Sequence, residues 1–314
     1  MAFAYPDMLA TIKDRQWALA DIDWDAPGAD LITAEQRPRL AAFMADLVWI
    51  EHVGARGFAA LTRKAPPGAL REIYRYFHAE EQKHANAELA LMRRWGMLPE
   101  TGSSGASSAM PVPNNNIRLV IEWLDRYADD LTLPVLGTVI PSLETALDGA
   151  LVKFLLDEVR DPLCHEVFRH INSDESRHLA VGFQVLEQLG AGPMRRLAIE
   201  TAGFALRPSF ALGALLYAPL LSRMAANIVA LGLDEEKLWN AVRRYETVGD
   251  RSPAIRRLPL YHVVRHHARM TIHRVQPMQL AVDALNLGID RLPVRLFGPP
   301  PSWSRALTYE PVAK

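Results

Sequence analysis

Two short stretches of this chain repeat one pattern: Glu80-Glu81-Gln82-Lys83-His84 and Asp174-Glu175-Ser176-Arg177-His178. In each, a Glu and a His stand three residues apart behind a second carboxylate. On an α-helix that spacing puts both side chains on one face, where a carboxylate oxygen and an imidazole nitrogen can meet the same ion. Eighteen Glu and ten His produce about 0.6 such spacings by chance, so the two pairs alone are only suggestive. They constrain the fold nonetheless: both segments must be helical, and both faces must turn to a common interior.

The rest of the chain agrees with helices. Apolar residues recur with helical period, and no convincing stretch of alternating β-branched residues competes. The pattern predicts a helix from Glu35 to about Lys64 through Leu40, Phe43, Met44, Leu47, Trp49 and Ile50, stopped by Pro66-Pro67-Gly68. A second runs from about Ala69 to Trp95 and closes at Gly96, a residue that readily takes the left-handed conformation. Pro99 to Asn116 reads as the one long loop. Helical pattern resumes from Ile117 to about Glu158, bent near Pro134 and Pro141 because proline removes a backbone donor. A fourth long helix begins at Asp161-Pro162 and runs to Leu189-Gly190. Further helices are expected at about 193–231, 234–247, 254–274 and 277–290, followed by an extended tail from Leu292 containing Pro299-Pro300-Pro301. The expected fold is one all-α domain over 1–314: a four-helix bundle with a long crossover at about 38–190 and a C-terminal helical extension at about 191–314.

The first and third long helices supply what two Glu-x-x-His pairs lack. Glu51 sits in Leu47-Val48-Trp49-Ile50-Glu51 and Glu144 in Val139-Ile140-Pro141-Ser142-Leu143-Glu144. Each is a carboxylate among apolar neighbours, where an unpaired charge is costly and a metal ion removes the cost. One Glu from each of two helices plus a Glu-x-x-His pair from each of the others is the ligand set of di-iron carboxylate bundles. The order here is Glu51, Glu81/His84, Glu144, Glu175/His178, with separations of 30, 63 and 31 residues between successive glutamates. That suits two antiparallel helix pairs joined by the loop.

On these residues the chain resembles the ferritin-like non-haem di-iron carboxylate superfamily over about residues 38–190. The resemblance implies a pair of iron ions, with Mn/Fe as a variant, held by Glu51, Glu81, His84, Glu144, Glu175 and His178, and dioxygen as co-substrate. Metal-bound imidazole usually donates its other N–H to a carboxylate. Glu80 and Asp174 are the candidates, and the superfamily's habit of bonding across helices pairs Asp174 with His84 and Glu80 with His178. Glu88, one turn beyond His84, is a weaker candidate for the same task. The competing reading makes Glu81 and Glu175 surface partners of Lys83 and Arg177, and Glu80 and Asp174 exposed charges. The p-aminobenzoate N-oxygenase branch, whose spacing and C-terminal helices look most similar, carries an extra histidine ligand four residues before the last Glu. This chain has Ile171 there and His170 one place further back, so it departs from that pattern; His165 has no assigned role.

Composition narrows the function. Net charge is −1 from 35 Lys+Arg and 36 Asp+Glu, so the whole chain makes no electrostatic bid for nucleic acid or acidic lipid. One cysteine excludes an intrachain disulfide and a Cys-rich metal site, and fits a reducing, cytoplasmic setting. The N-terminus shows no signal-peptide pattern. The most apolar run, Ser209 to Leu221, is about 13 residues where roughly 20 span a bilayer, which makes it a core helix or a homodimer contact. Arg256, Arg257, Arg265, His266, His267, Arg269, His273 and Arg274 make one late helix basic. A solvated or ion-paired face is the favoured reading, with an anionic substrate, a carrier protein or RNA as alternatives.

The expected function is an oxygenase or oxidase that activates O2 to oxidise a small organic molecule by N-oxygenation or hydroxylation. Its electrons must come from a ferredoxin or flavoprotein, since the chain has neither a Cys cluster nor a GxGxxG motif. Space opened by Pro134, Gly137 and Pro141, walled by the helix at 208–221, is the expected substrate site. An acyl desaturase, a tRNA-type hydroxylase, an iron-handling ferroxidase and a non-catalytic metal-binding or scaffold protein are the alternatives.

Overall fold

The computed structural model describes residues 3–98, 111, 113–147, 159–190, 219–220, 222–223, 235–258, 261–262, 265–266, 269–270 and 276–293. Among these, every regular element is helical. The helices are α1 (Tyr5–Asp14), α2 (Arg37–Lys64), α3 (Ala69–Arg94), α4 (Asn115–Tyr127), α5 (Leu133–Leu147), α6 (Pro162–Gly190), α7 (Glu235–Gly249), α8 (Pro253–Arg256) and α9 (Gln276–Asp290).

The ends of α2 and α3 follow from local chemistry. Thr33 and Gln36 exchange backbone and side-chain hydrogen bonds at 3.2 and 3.3 Å, a reciprocal cap. The helix then starts at Arg37 with Pro38 in its first turn, two residues later than expected. Gly68, at φ +121°, turns the chain into α3. At the far end Gly96 takes φ +64° and Met97 N–H reaches back to the Met92 carbonyl at 2.9 Å, as the expected closure requires. The turn between the helices is short, so α2 and α3 pack side by side and antiparallel.

Over its described part, the single helix expected from Ile117 to Glu158 is broken into α4 and α5. Asn114 caps α4 by accepting from Ile117 N–H at 2.9 Å. A 3-10 turn at Ala128–Asp130 follows, and α5 begins anew at Leu133. Pro134 therefore lies in the first turn of α5, where its missing N–H breaks no intrahelical bond, and it starts a helix rather than bending one. Pro141 does lie inside α5. Residues 148–158 lie outside the described set, as does most of the Pro99–Asn116 loop. Of that loop, the Pro111 carbonyl accepts from Trp49 Nε1 at 2.7 Å.

α5 packs along α6, and α2 and α3 close the bundle against them. Small residues set the separations. A Cβ on Gly182 would lie 2.7 Å from Pro141 Cγ, and one on Gly137 would lie 3.2 Å from Val185 and 3.3 Å from Leu189. Gly137 and Pro141 of the Pro134–Pro141 stretch thus pack closely on α6. The apolar run 209–221 lies outside the described residues apart from Pro219 and Leu220.

Two apolar clusters fill the bundle. One joins Leu40 to Ile50 of α2, Ala85 to Met92 of α3 and Leu163 to Ile171 of α6. The other joins Phe58 and Leu61, Ile73 and Phe77, Val135 and Leu136, and Val181 and Val185. Each large side chain taken from water contributes about 2 kcal/mol, so both ends of the bundle are firmly held. The interval between the clusters is where Glu51, Glu81, His84, Glu175 and His178 fall on their helices.

In the C-terminal extension α7 packs on α5, α8 on α6 and α9 on α4. Where one helix over 254–274 was expected, α8 stops at Arg256; of the remainder, only Arg257, Leu258, Tyr261, His262, Arg265, His266, Arg269 and Met270 belong to the described residues. The expected helix at 193–231 lies almost wholly outside them. Within the basic stretch, Arg265 and Arg269 both bond Glu246 Oε1 at 2.6 Å, and Arg256 pairs with Asp250 at 3.0 Å. The ion-paired face is therefore the reading that holds for these three arginines; His267, His273 and Arg274 lie outside the described residues. Among the described residues no helix is long and apolar enough to cross a membrane.

Candidate metal centre

All six residues expected as ligands converge in the middle of the bundle. Glu51 comes from α2, Glu81 and His84 from α3, Glu144 from α5, and Glu175 and His178 from α6; all are buried. They form two close groups, Glu51/Glu81/His84/Glu175 and Glu81/Glu144/Glu175/His178, each with one donor atom per residue within 4.8 Å of the others. Glu81 and Glu175 belong to both. Glu175 spans the imidazoles directly, with Oε1 3.1 Å from His84 Nδ1 and Oε2 3.3 Å from His178 Nδ1. Glu81 Oε1 lies 3.3 Å from His178 Nδ1, and Glu51 Oε2 lies 3.6 Å from His84 Nδ1.

The imidazoles are held from behind in the crossed arrangement expected. His84 Nε2 lies 3.0 Å from Asp174 Oδ2, and His178 Nε2 lies 3.0 Å from Glu80 Oε2. A carboxylate on Nε2 keeps the proton there and leaves Nδ1 as the donor facing the cluster. Phe77 and Phe58 flank the His178 ring at 4.1 and 5.0 Å between centroids, which fixes its tilt.

Behind these carboxylates stand groups that the spacing argument did not reach. Lys83, fully buried, pairs with Asp174 at 3.0 Å. Arg177 bonds both Asp174 and Glu80. The two cations therefore face inward, and the surface pairing with Glu81 and Glu175 does not occur. Trp17 Nε1 donates to Asp174 Oδ2 at 2.9 Å and Gln16 Nε2 to Glu80 Oε1 at 2.6 Å. Both follow α1, a helix legible in Tyr5, Met8, Leu9 and Ile12 at helical spacing with Pro6 in the first turn, yet absent from the sequence expectations above. Nothing local marks Trp17 or Gln16 themselves, whose partners lie 157 and 64 residues away. His170 belongs to neither close group; its ring stacks on Trp17 at 5.1 Å. Glu88 is fully buried, and neither of its carboxylate oxygens bonds an imidazole. His165 contacts the Val159 carbonyl.

Protonation follows from crowding four carboxylates into a dry interior. Burial, then Glu175 and Glu51, push the Glu81 carboxyl well above the ordinary range. Burial acts against ionising Glu175 too, but His178 and His84 outweigh it and hold that group at about 2. Burial likewise opposes charge on His84 and His178, yet their carboxylate partners raise both well above the usual histidine value. Asp174 is lowered, since His84, Lys83 and Arg177 outweigh its burial.

The donor set fits a pair of divalent cations. His84 Nδ1 and His178 Nδ1 are buried and face the carboxylate cluster at 3.1 to 3.6 Å. Histidine and carboxylate together suit iron, manganese and zinc. Gly54 makes room for the cluster: a Cβ there would collide with the Glu81 carboxylate.

The fold and donor set define a helical bundle enclosing a carboxylate- and histidine-rich centre. No family model matches the chain, and no curated protein matches it. Among solved structures it is similar to variants of an R2-like ligand-binding oxidase. Two with reconstituted Mn/Fe cofactor give TM-scores of 0.46 and 0.47 at 16% and 15% identity, and each alignment covers 86% of this chain and 91% of the other. One with Fe/Fe cofactor gives 0.42 at 17% identity over 86% and 91% of the two chains.

Proposed function

We propose that this chain is an O2-dependent oxidoreductase that holds two metal ions, an iron pair or Mn/Fe, and oxidises a small organic substrate by N-oxygenation or hydroxylation. The observation that carries the reading is the pair of imidazole nitrogens, His84 Nδ1 and His178 Nδ1, turned toward Glu51, Glu81, Glu144 and Glu175 in a buried site. A helical scaffold without a metal has no use for that arrangement, because crowding four carboxylates into a dry interior is costly unless cations neutralise them.

Four carboxylates balance the charge of two divalent ions. Bound there, such a pair supplies two electrons to dioxygen, chemistry that belongs to the cofactor. The chain's residues do the rest. Glu51, Glu81, His84, Glu144, Glu175 and His178 would hold the ions, and Asp174 and Glu80 orient the imidazoles. The apolar clusters on either side keep bulk water from the centre. Electrons arrive from a ferredoxin or flavoprotein, since the chain's one cysteine, Cys164, is buried and free.

Anaerobic loading with Fe(II) followed by exposure to oxygen tests this. Two irons per chain and an oxygen-dependent visible band are expected. A chain that takes up no iron pair and develops no band is not this enzyme.

A further inference from the structure

Two consecutive residues that follow α1 reach the two carboxylates that hold the imidazoles. Gln16 Nε2 donates to Glu80 Oε1 at 2.6 Å, and Trp17 Nε1 donates to Asp174 Oδ2 at 2.9 Å. The other donors to these carboxylates, Lys83, His84, Arg177 and His178, lie on α3 and α6 themselves. Among the described residues, the segment after α1 is thus the part of the chain that grips both carboxylates from outside those two helices. Its course explains the grip. Ile12 belongs to one apolar cluster and Trp17 to the other, so the chain between them crosses the interval in which the centre lies. Gln16 Nε2 also donates to the Ile12 carbonyl at 3.0 Å, which ties the contact to the end of α1.

The two contacts act on different imidazoles. Trp17 donates to the same oxygen that faces His84 Nε2, so indole and imidazole share Asp174 Oδ2 directly. Gln16 donates to Oε1 of Glu80 whereas His178 Nε2 faces Oε2, so the amide acts by fixing the rotation of the carboxylate. Arg177 bonds both carboxylates, whereas Gln16 and Trp17 bond one each. A group that holds the carboxylate behind a metal-binding imidazole sets the direction and basicity of that ligand.

We propose that Gln16 and Trp17 are positioning residues of the centre, one for each imidazole, and that docking of the segment Tyr5–Trp17 and binding of metal favour each other. This rests on the dimetal reading above. Ions bind more tightly when both imidazoles are correctly turned, which is the docked state. By linkage, bound ions must then hold the segment docked in return.

Zn(II) is the probe, since it suits histidine and carboxylate donors and has no redox chemistry. Lys13 and Arg15 are exposed beside Gln16, so trypsin cuts there when the segment opens, at a rate that follows the open population. On wild type, Zn(II) should slow these cuts about tenfold relative to the cut after exposed Arg251, a measurement that needs no variant. Histidine 15N NMR of the Zn(II) form supplies the second readout, with the Nε2–H signals assigned through their loss in His84→Ala and His178→Ala. Trp17→Phe, which keeps a ring between Lys83 and His170, should shift the His84 signal and spare that of His178. Gln16→Met, which keeps the side-chain length, should do the reverse. Each should weaken Zn(II) binding about tenfold, and melting of the metal-free variants verifies that they fold. No slowing of the cuts, equal slowing after Arg251, or variants that move both signals alike or neither would overturn the inference and leave the segment a packing element. Failure of wild type to bind two Zn(II) removes the dimetal reading itself, and this inference with it.

Discussion

Trp17 and Asp174 are joined by a 2.9 Å hydrogen bond from the indole N–H to the same carboxylate oxygen that faces His84 Nε2. The N-terminal segment is thereby part of the wall of the centre. Trp17 is further held between the Lys83 ammonium, 4.5 Å from its ring centroid, and the stacked His170 ring.

Lys83 should matter to stability more than any surface cation. Its loss in Lys83→Met leaves the buried Asp174 with one cation fewer, and breaking such a pair from one side costs about 3 kcal/mol. Arg63→Ala, which removes an exposed pair with Asp129, should cost about 0.5 kcal/mol. Urea unfolding of the two variants is expected to separate them by that margin; equal midpoints would show the Lys83 pair to be weak.

The shared carboxylates and the terminal ones should differ in metal stoichiometry. Glu81 and Glu175 belong to both close groups, whereas Glu51 and Glu144 belong to one each. Glu81→Ala or Glu175→Ala should therefore lose both irons, and Glu51→Ala or Glu144→Ala mainly one. Iron per chain after anaerobic loading and gel filtration, with helical content checked by circular dichroism, distinguishes the two classes.

Gly54→Ala offers a case in which stability and function part company. Alanine in a helix interior is favoured over glycine by about 1 kcal/mol, but here its Cβ meets the Glu81 carboxylate. Metal affinity should fall about tenfold, which is about 1.4 kcal/mol, with little loss in the melting temperature of the metal-free chain. Unchanged affinity would show that Glu81 adopts another pose when metal is bound.

The metal-free chain should have a tilted pH–stability profile. His84 and His178 are raised, so their contribution is full below about 6.5, the unfolded value, and is lost as pH rises through the folded value. Raised Glu81 acts with the same sign, because the folded chain keeps a proton that the unfolded chain releases above about 4.3. Glu175, held at about 2, acts oppositely at the acid end, where its contribution is lost as pH falls from about 4.3 toward 2. Melting temperature should fall from pH 6 to 9 without metal. Metal affinity should rise over the same range, since each ion displaces these protons. A flat profile would place the protons elsewhere.

The sequence by itself marked most of the long helices of the bundle and the six residues that the fold brings together, because both are written in local spacing, but not α1 or the break between α4 and α5. A Glu-x-x-His pair states its own geometry once the segment is helical, and Glu51 and Glu144 stand out as acids in apolar runs. The crossed bonds of Glu80 and Asp174 were legible from their place before each pair. Only the tertiary structure decided what surrounds them. Trp17, Gln16, Lys83 and Arg177 take their roles from partners on other helices, and no periodicity records such a contact. Pro134 was expected to bend a continuous helix, and its place after the 3-10 turn made it a beginning instead. Glu88 was a weaker candidate for holding a histidine, and packing buried it with no hydrogen-bond partner. Side-chain direction follows from the helix, whereas the neighbour it meets follows from how the helices pack.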